Sequence, residues 1–229
     1  MKSRELFYNS IAESFGHIMN MYDANRRIEV IFDDFLGNVD LTNKTLLDGG
    51  CGIGLFTKRA IERGAIVTSV DIAEKLVEIT KKKQPKAGVT VASLLDLPFS
   101  DNLFDIVISS DVIEHTDDPF KTTDELVRVL KPGGVLCVTV PNRSFWYFSL
   151  ILAQLLRLRK YKGNENWVHY AQYREYLRAK NVDILEYKGI HLFPFVFPSL
   201  NGVLRRLDKV FDKTKGHIMV NIAAFARKN

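Results

Sequence analysis

Residues 45–54 read Thr-Leu-Leu-Asp-Gly-Gly-Cys-Gly-Ile-Gly, and an acid follows at Asp71. Leu46 and Leu47 close a short apolar run that breaks into glycines, the pattern of a buried strand ending in a tight turn that opens a helix. That is a nucleotide-cradling geometry. Glycine suits the turn because a Cβ would block close approach of the backbone to a ligand. The helix that follows directs its free N–H groups at whatever is bound. An acid about 20 residues on, at the end of a second strand, is placed to accept from ribose hydroxyls, so a dinucleotide is one reading. Asp48 argues against it: a carboxylate before the glycines repels a pyrophosphate but can hold an amino group.

The rest of the chain repeats the alternation. Residues 55–63 read as a helix, 65–70 as a second strand and 73–83 as a helix whose Lys81-Lys82-Lys83 tail suits the negative end of its dipole. Short strands follow at 89–92 and 104–109, then a helix capped by Asp118 with Pro119 at its first position. Residues 131–134 read as a turn and 135–140 as a fifth strand. Strands alternating with helices in this way imply an α/β fold, a doubly wound parallel sheet with ligands beyond the carboxyl ends of its strands. Upstream, Phe7, Ile11 and Phe15 form one helical stripe and Ile28, Ile31, Phe32 and Phe35 another, so residues 1–40 form a helical cap. Downstream, a helix is expected over 170–180 and strands over 182–188 and 217–226, with a basic helix over 200–211.

At 229 residues the chain suits a single domain, with residues 143–168 and 189–216 as lid or substrate-side insertions. Two cysteines, Cys51 and Cys137, are too few for a disulfide framework and fit a reducing cytoplasm. The first residues lack the apolar core of a signal peptide, and no apolar run reaches the roughly 20 residues of a membrane span. The net charge of +5 does not by itself select a partner.

The run Leu47-Asp48-Gly49-Gly50-Cys51-Gly52-Ile53-Gly54 resembles the first motif of class I S-adenosylmethionine-dependent methyltransferases. Val70-Asp71 resembles that family's ribose acid, Leu97-Pro-Phe-Ser-Asp-Asn-Leu-Phe-Asp105 its run into the fourth strand, and Leu130-Lys-Pro-Gly-Gly134 its turn into the fifth. The likeness extends over residues 44–141 and rests on the order of the motifs. It implies a Rossmann-like, mostly parallel seven-stranded sheet with an antiparallel last strand, and S-adenosylmethionine as cofactor. It places the methionine moiety against Asp48, Gly50, Cys51, Gly52 and Gly54, the ribose on Asp71 and the adenine against Ile72. Ser93 stands where relatives usually carry an acid, so the Ser93 hydroxyl and the Leu94 N–H take the adenine edge, with Asp96 as a neighbour. Arg27 aligns with a segment that supplies a cofactor-contacting arginine, and Ser110 ends the strand facing the cofactor. Tyr8 and Phe15 are lid aromatics or ordinary cap packing.

Methyl transfer to a hydroxyl needs alignment, exclusion of water and a group to take the proton. Asp111, Glu114 and His115 lie at spacings that share a helical face. The trio resembles the metal-binding run of the quinone-precursor O-methyltransferases of ubiquinone biosynthesis, except that their first acid is Glu. A divalent ion is therefore one reading, placed below His115 as general base or substrate-orienting group. A histidine merely satisfied by a neighbouring carboxylate is a third. The run lacks the Asn/Asp-Pro-Pro-aromatic signature of many nucleobase methylating enzymes, which argues against nucleic acid. The apolar stretches 145–162 and 193–197 favour a bulky hydrophobic acceptor such as a phenol or quinol. The basic end of 145–162 leaves open a lid, a peripheral membrane contact or a homodimer face. A sugar or natural-product acceptor, and a cofactor-binding scaffold without turnover, are the alternatives.

Overall fold

The structure, a computed structural model, describes residues 2–144, 146–148, 151, 165–193 and 201–229. Seven strands, β1 (Thr45–Gly49), β2 (Ile66–Asp71), β3 (Gly88–Val91), β4 (Phe104–Ser110), β5 (Leu130–Pro141), β6 (Val182–Ile190) and β7 (Asn221–Lys228), make one sheet. Their order is β3-β2-β1-β4-β5-β7-β6, with β7 antiparallel to both of its neighbours and the other pairings parallel. The fold is the mostly parallel, Rossmann-like sheet with an antiparallel last strand that the motifs imply.

Alternate residues of a strand face opposite sides, and the core follows that rule. Leu46 and Leu47 pair with Ile106 and Val107. Leu46, Ile106, Ile108 and Cys137 pack on one side with Val30, Ile31, Phe32 and Phe35, whereas Leu47, Val107, Leu136 and Val138 pack on the other with Leu126 and Tyr173. Both faces are thereby covered by helices, as a parallel sheet requires.

Eight helices are described: α1 (Lys2–Ile11), α2 (Phe15–Ile18), α3 (Met21–Glu29), α4 (Leu55–Glu62), α5 (Glu74–Lys83), α6 (Pro119–Val129), α7 (Tyr170–Arg178) and α8 (Asn201–Phe211). Asn20 caps α3 by accepting from Tyr22 N at 3.0 Å and Asp23 N at 3.3 Å, and Asp118 caps α6 through Phe120 N at 2.9 Å and Lys121 N at 3.0 Å. Beyond Glu29 the helix widens, with Leu36 N donating to Ile31 O, and the wider turns bury four apolar side chains between Val30 and Phe35.

Three boundaries differ from expectation. Residues 131–134 are not a separate turn but the opening of β5, with Gly133 at φ +76°. The final strand starts at Asn221, because Gly216–Ile218 form a single 3₁₀ turn. A Cβ at Gly216 would stand 2.7 Å from Tyr170 Oη and 2.9 Å from Gly189 N, so the chain passes there at backbone distance. The cap is broken twice, at Ala12–Ser14 and at Met19, giving three helices where two stripes were read. Most of 145–162 and residues 194–197 lie outside the described residues. Among the described residues no helix is long and apolar enough to cross a membrane.

Candidate active site

A cavity of about 310 Å³ opens beyond the carboxyl ends of β1, β2 and β4. Its floor is the glycine turn. Gly50 N and Cys51 N both donate to Val70 O, at 2.8 and 2.9 Å, which ties the turn to β2. Gly50 sits at φ +84°, and a Cβ there would lie 2.4 Å from both γ carbons of Val112, so this position admits no side chain. Gly52, at φ +53°, faces Phe15 across the cavity, where a Cβ would come within 3.3 Å of the ring.

Gly50, Cys51, Gly52, Asp71, Ile72, Ser93, Leu94, Ser110 and Arg27 all line the cavity. Asp71 is held from two sides, its Oδ2 accepting from Gly52 N at 2.9 Å and its Oδ1 from Ala73 N at 3.0 Å. Burial nevertheless raises its carboxyl above the usual range. Each oxygen retains a lone pair for a further donor. Asp48 and Gly54 do not line the cavity. Asp48 is buried beneath the turn and accepts from the Thr57 hydroxyl at 2.6 Å, while Gly54 begins α4 at φ +80°.

Desolvation pushes the Asp48 carboxyl up to about 6, against its bond from Thr57. The sign follows directly: the folded state holds a proton that the unfolded chain has released, so stability is greatest below the unfolded value near pH ~4 and is lost as pH rises through the folded value. A two-unit rise corresponds to roughly 3 kcal/mol. Urea titrations should therefore show Asp48→Asn gaining on the wild type between pH 4 and pH 7; a gap independent of pH would contradict the assignment.

At the end of β4 the acidic run divides. Asp111 adopts φ +51°, and its carboxylate accepts from Thr139 Oγ1 at 2.9 Å and Asn221 Nδ2 at 3.0 Å, with Arg27 Nε 3.4 Å away. Glu114 is 1% exposed; its Oε1 lies 3.5 Å from His115 Nε2, and its Oε2 has no hydrogen-bond partner among the described residues. Burial raises the Glu114 carboxyl well above its ordinary value, and the charge of Asp111 adds to the rise. The His115 ring meets Tyr8 of α1 edge-on, with centroids 5.8 Å apart. All three residues line the cavity. They do not share one ligand sphere: among the described residues no group of three or more His, Cys, Asp or Glu is arranged to hold a metal ion.

Arg27 is buried, donating from Nε to Asp23 Oδ2 at 2.9 Å and from Nη1 to Ser110 Oγ at 2.9 Å. Burial alone would lower its affinity for its proton, but the neighbouring Asp111 and Asp23 raise it above the ordinary value, so the charge is permanent. Asp23, Thr139, His191 and Asn221 were not singled out from the sequence. Only the Asp23 to Arg27 spacing of four on a helix pointed to any of them.

Sheet order, the antiparallel β7 and a cavity over a glycine turn define the Rossmann-like methyltransferase fold. A family model described as a methyltransferase domain matches residues 47–138. A ubiquinone biosynthesis O-methyltransferase of Coxiella burnetii is 27% identical over 165 residues, covering 68% of this chain and 70% of that protein. One from Xylella fastidiosa is 31% identical over 163 residues, covering 67% and 63%. Magnesium protoporphyrin IX methyltransferase from Synechocystis PCC 6803, solved with bound SAH, superposes with a TM-score of 0.70 at 15% identity, covering 98% of each chain. Residues 47–138 form a methyltransferase domain, and the chain is an S-adenosylmethionine-dependent methyltransferase.

The cavity suits that cofactor. Asp71 has acceptor capacity left for hydroxyls, Arg27 offers a permanent positive charge to a carboxylate, and the turn between them carries no side chain at Gly50 or Gly52.

Proposed function

We propose that the enzyme transfers the methyl group of S-adenosylmethionine to a hydroxyl of a hydrophobic small molecule of phenol or quinol type. One observation carries the reading: buried Glu114 stands beside half-buried His115, and the pair opens onto the cavity just beyond β4, where an acceptor would meet the methyl group. The names of the curated relatives support oxygen as the acceptor atom and a quinone precursor as its class.

The cofactor supplies a methyl group already activated on a sulfonium, so the chain's residues bind, align and manage one proton. Arg27 would hold the methionine carboxylate, Asp71 the ribose hydroxyls, and Ile72, Ser93 and the Leu94 N–H the adenine. His115 takes the proton of the acceptor hydroxyl, and Glu114 holds the imidazole for that task. Tyr8 and Phe15, which pack against each other with centroids 6.2 Å apart, exclude water from the cofactor side.

The test is transfer of labelled methyl from S-adenosylmethionine to a lipid extract and to a panel of catechols, sugars and amines. A labelled, solvent-extractable, alkali-stable ether is the expected product. Labelling confined to sugars or amines would replace the acceptor class, and binding without turnover on any acceptor would favour a scaffold.

A further inference from the structure

Behind Arg27 the polar contacts continue past the cavity wall. Asp23 divides its carboxylate: Oδ2 accepts from Arg27, while Oδ1 lies 3.0 Å from Nε2 of His191. The other ring nitrogen of His191, Nδ1, is 3.7 Å from Oδ2 of Asp208, whose Oδ1 accepts from Leu192 N at 2.6 Å. Asp23, Arg27, His191 and Asp208 are all buried. The path therefore runs from the cavity through α3 to the residue after β6 and on to α8.

Two further features mark this path. Asp111 at φ +51° and His191 at φ +62° are non-glycine residues in the left-handed region, and Arg27 and Asp23 connect them. Such backbone is disfavoured and persists where its surroundings over-determine it, commonly at working sites. The second feature is α8, which buries the carboxylate of Asp208 while Val203 and Val210 are 61% and 67% exposed. Apolar packing alone would orient the helix the other way.

Arg27 stands between two carboxylates, and the one it sides with depends on what else holds each. Asp111 has Thr139 and Asn221. The second oxygen of Asp23 has His191. Without that contact a buried acceptor loses its partner, the Asp23 carboxylate is free to turn, and the guanidinium shifts toward Asp111.

We propose that His191 is a positioning residue of the cofactor site: through Asp23 it fixes the guanidinium of Arg27 toward the cavity, with Asp208 of α8 bracing the imidazole from behind. The inference rests on the reading that Arg27 meets the cofactor's carboxylate. It makes a helix of the second insertion part of the donor site.

The test is calorimetric binding of S-adenosylhomocysteine to the full chain, with thermal unfolding in parallel. His191→Asn tolerates left-handed backbone but is too short to reach Asp23, and its Kd should rise about tenfold. His191→Gln carries its amide nitrogen near the Nε2 position and should bind within about threefold of wild type. Asp208→Asn keeps the Asp23 contact while weakening the brace, with an expected rise of about fivefold, outside the range allowed to His191→Gln, and carries the test if His191→Asn does not fold. Wild-type affinity in His191→Asn or, failing that protein, in Asp208→Asn overturns the proposal whatever happens to the melting temperature, because a purely structural histidine would alter only the latter. Equal losses in the Asn and Gln variants also overturn it, since ring packing and not the Asp23 bond would then matter. Arg27→Met separates the two readings: if it binds like wild type, the role of Arg27 falls; if it binds weakly while His191→Asn does not, only the positioning role falls.

Discussion

His115→Ala is expected to lower kcat by about 10²- to 10⁴-fold, the range associated with loss of a positioned acid or base, while affinity for S-adenosylhomocysteine stays within about threefold. The asymmetry follows from the site. His115 lies beside Glu114, with Nε2 3.5 Å from Oε1, at the end of β4, whereas the residues assigned to the cofactor's polar ends, Arg27 and Asp71, are held by other partners. Glu114→Gln keeps the shape and removes the titratable carboxyl, so it should reduce kcat less than His115→Ala and remove that carboxyl's contribution to the pH dependence of kcat. Burial raises the Glu114 carboxyl well above its normal range, so that contribution falls at higher pH than an exposed carboxylate's would. Full turnover in His115→Ala would remove the proton role and leave only the histidine satisfied by its neighbour.

Gly50→Ala should weaken S-adenosylhomocysteine binding by about 100-fold or more, equivalent to roughly 3 kcal/mol. Two independent costs meet there. An alanine at φ +84° is disfavoured by about 1–2 kcal/mol, and its Cβ would lie 2.4 Å from two carbons of Val112. Val112 immediately precedes the short turn Ile113–His115, so relieving the clash displaces Glu114 and His115 as well as the glycine turn. A combined Gly50→Ala, Val112→Ala protein should recover the steric part of the loss and not the backbone part. Calorimetry with the single and double variants checks this; wild-type affinity in Gly50→Ala would show that the turn does not touch the cofactor.

The donor half of the site is local, and for that reason it could be read from the chain. Gly50, Gly52 and Asp71 belong to one β-α-β unit, and the bond from Gly52 N to Asp71 Oδ2 spans 19 residues. Asp48 shows the limit of that reading: its place before the glycines says nothing of direction, which the Thr57 hydroxyl on α4 decides. Helical spacing grouped Asp111 with Glu114 and His115, but left-handed backbone at Asp111 breaks the period and turns its carboxylate to Asn221. The partners that matter for Arg27 and Asp111 are remote. Asp23 and His191 are 168 residues apart and Asp111 and Asn221 110, so no local pattern joins them.

The position of β7 between β5 and β6 has a consequence for the order of events during synthesis. The strand emerges after the two it separates, so neither can find its final neighbour until residues 221–228 are available. β7 also carries Asn221, one of the groups that hold Asp111. A nascent chain can therefore assemble the donor-binding β-α-β unit early, yet the Arg27 side of the pocket gains its settled arrangement of charges only when the last strand slots in.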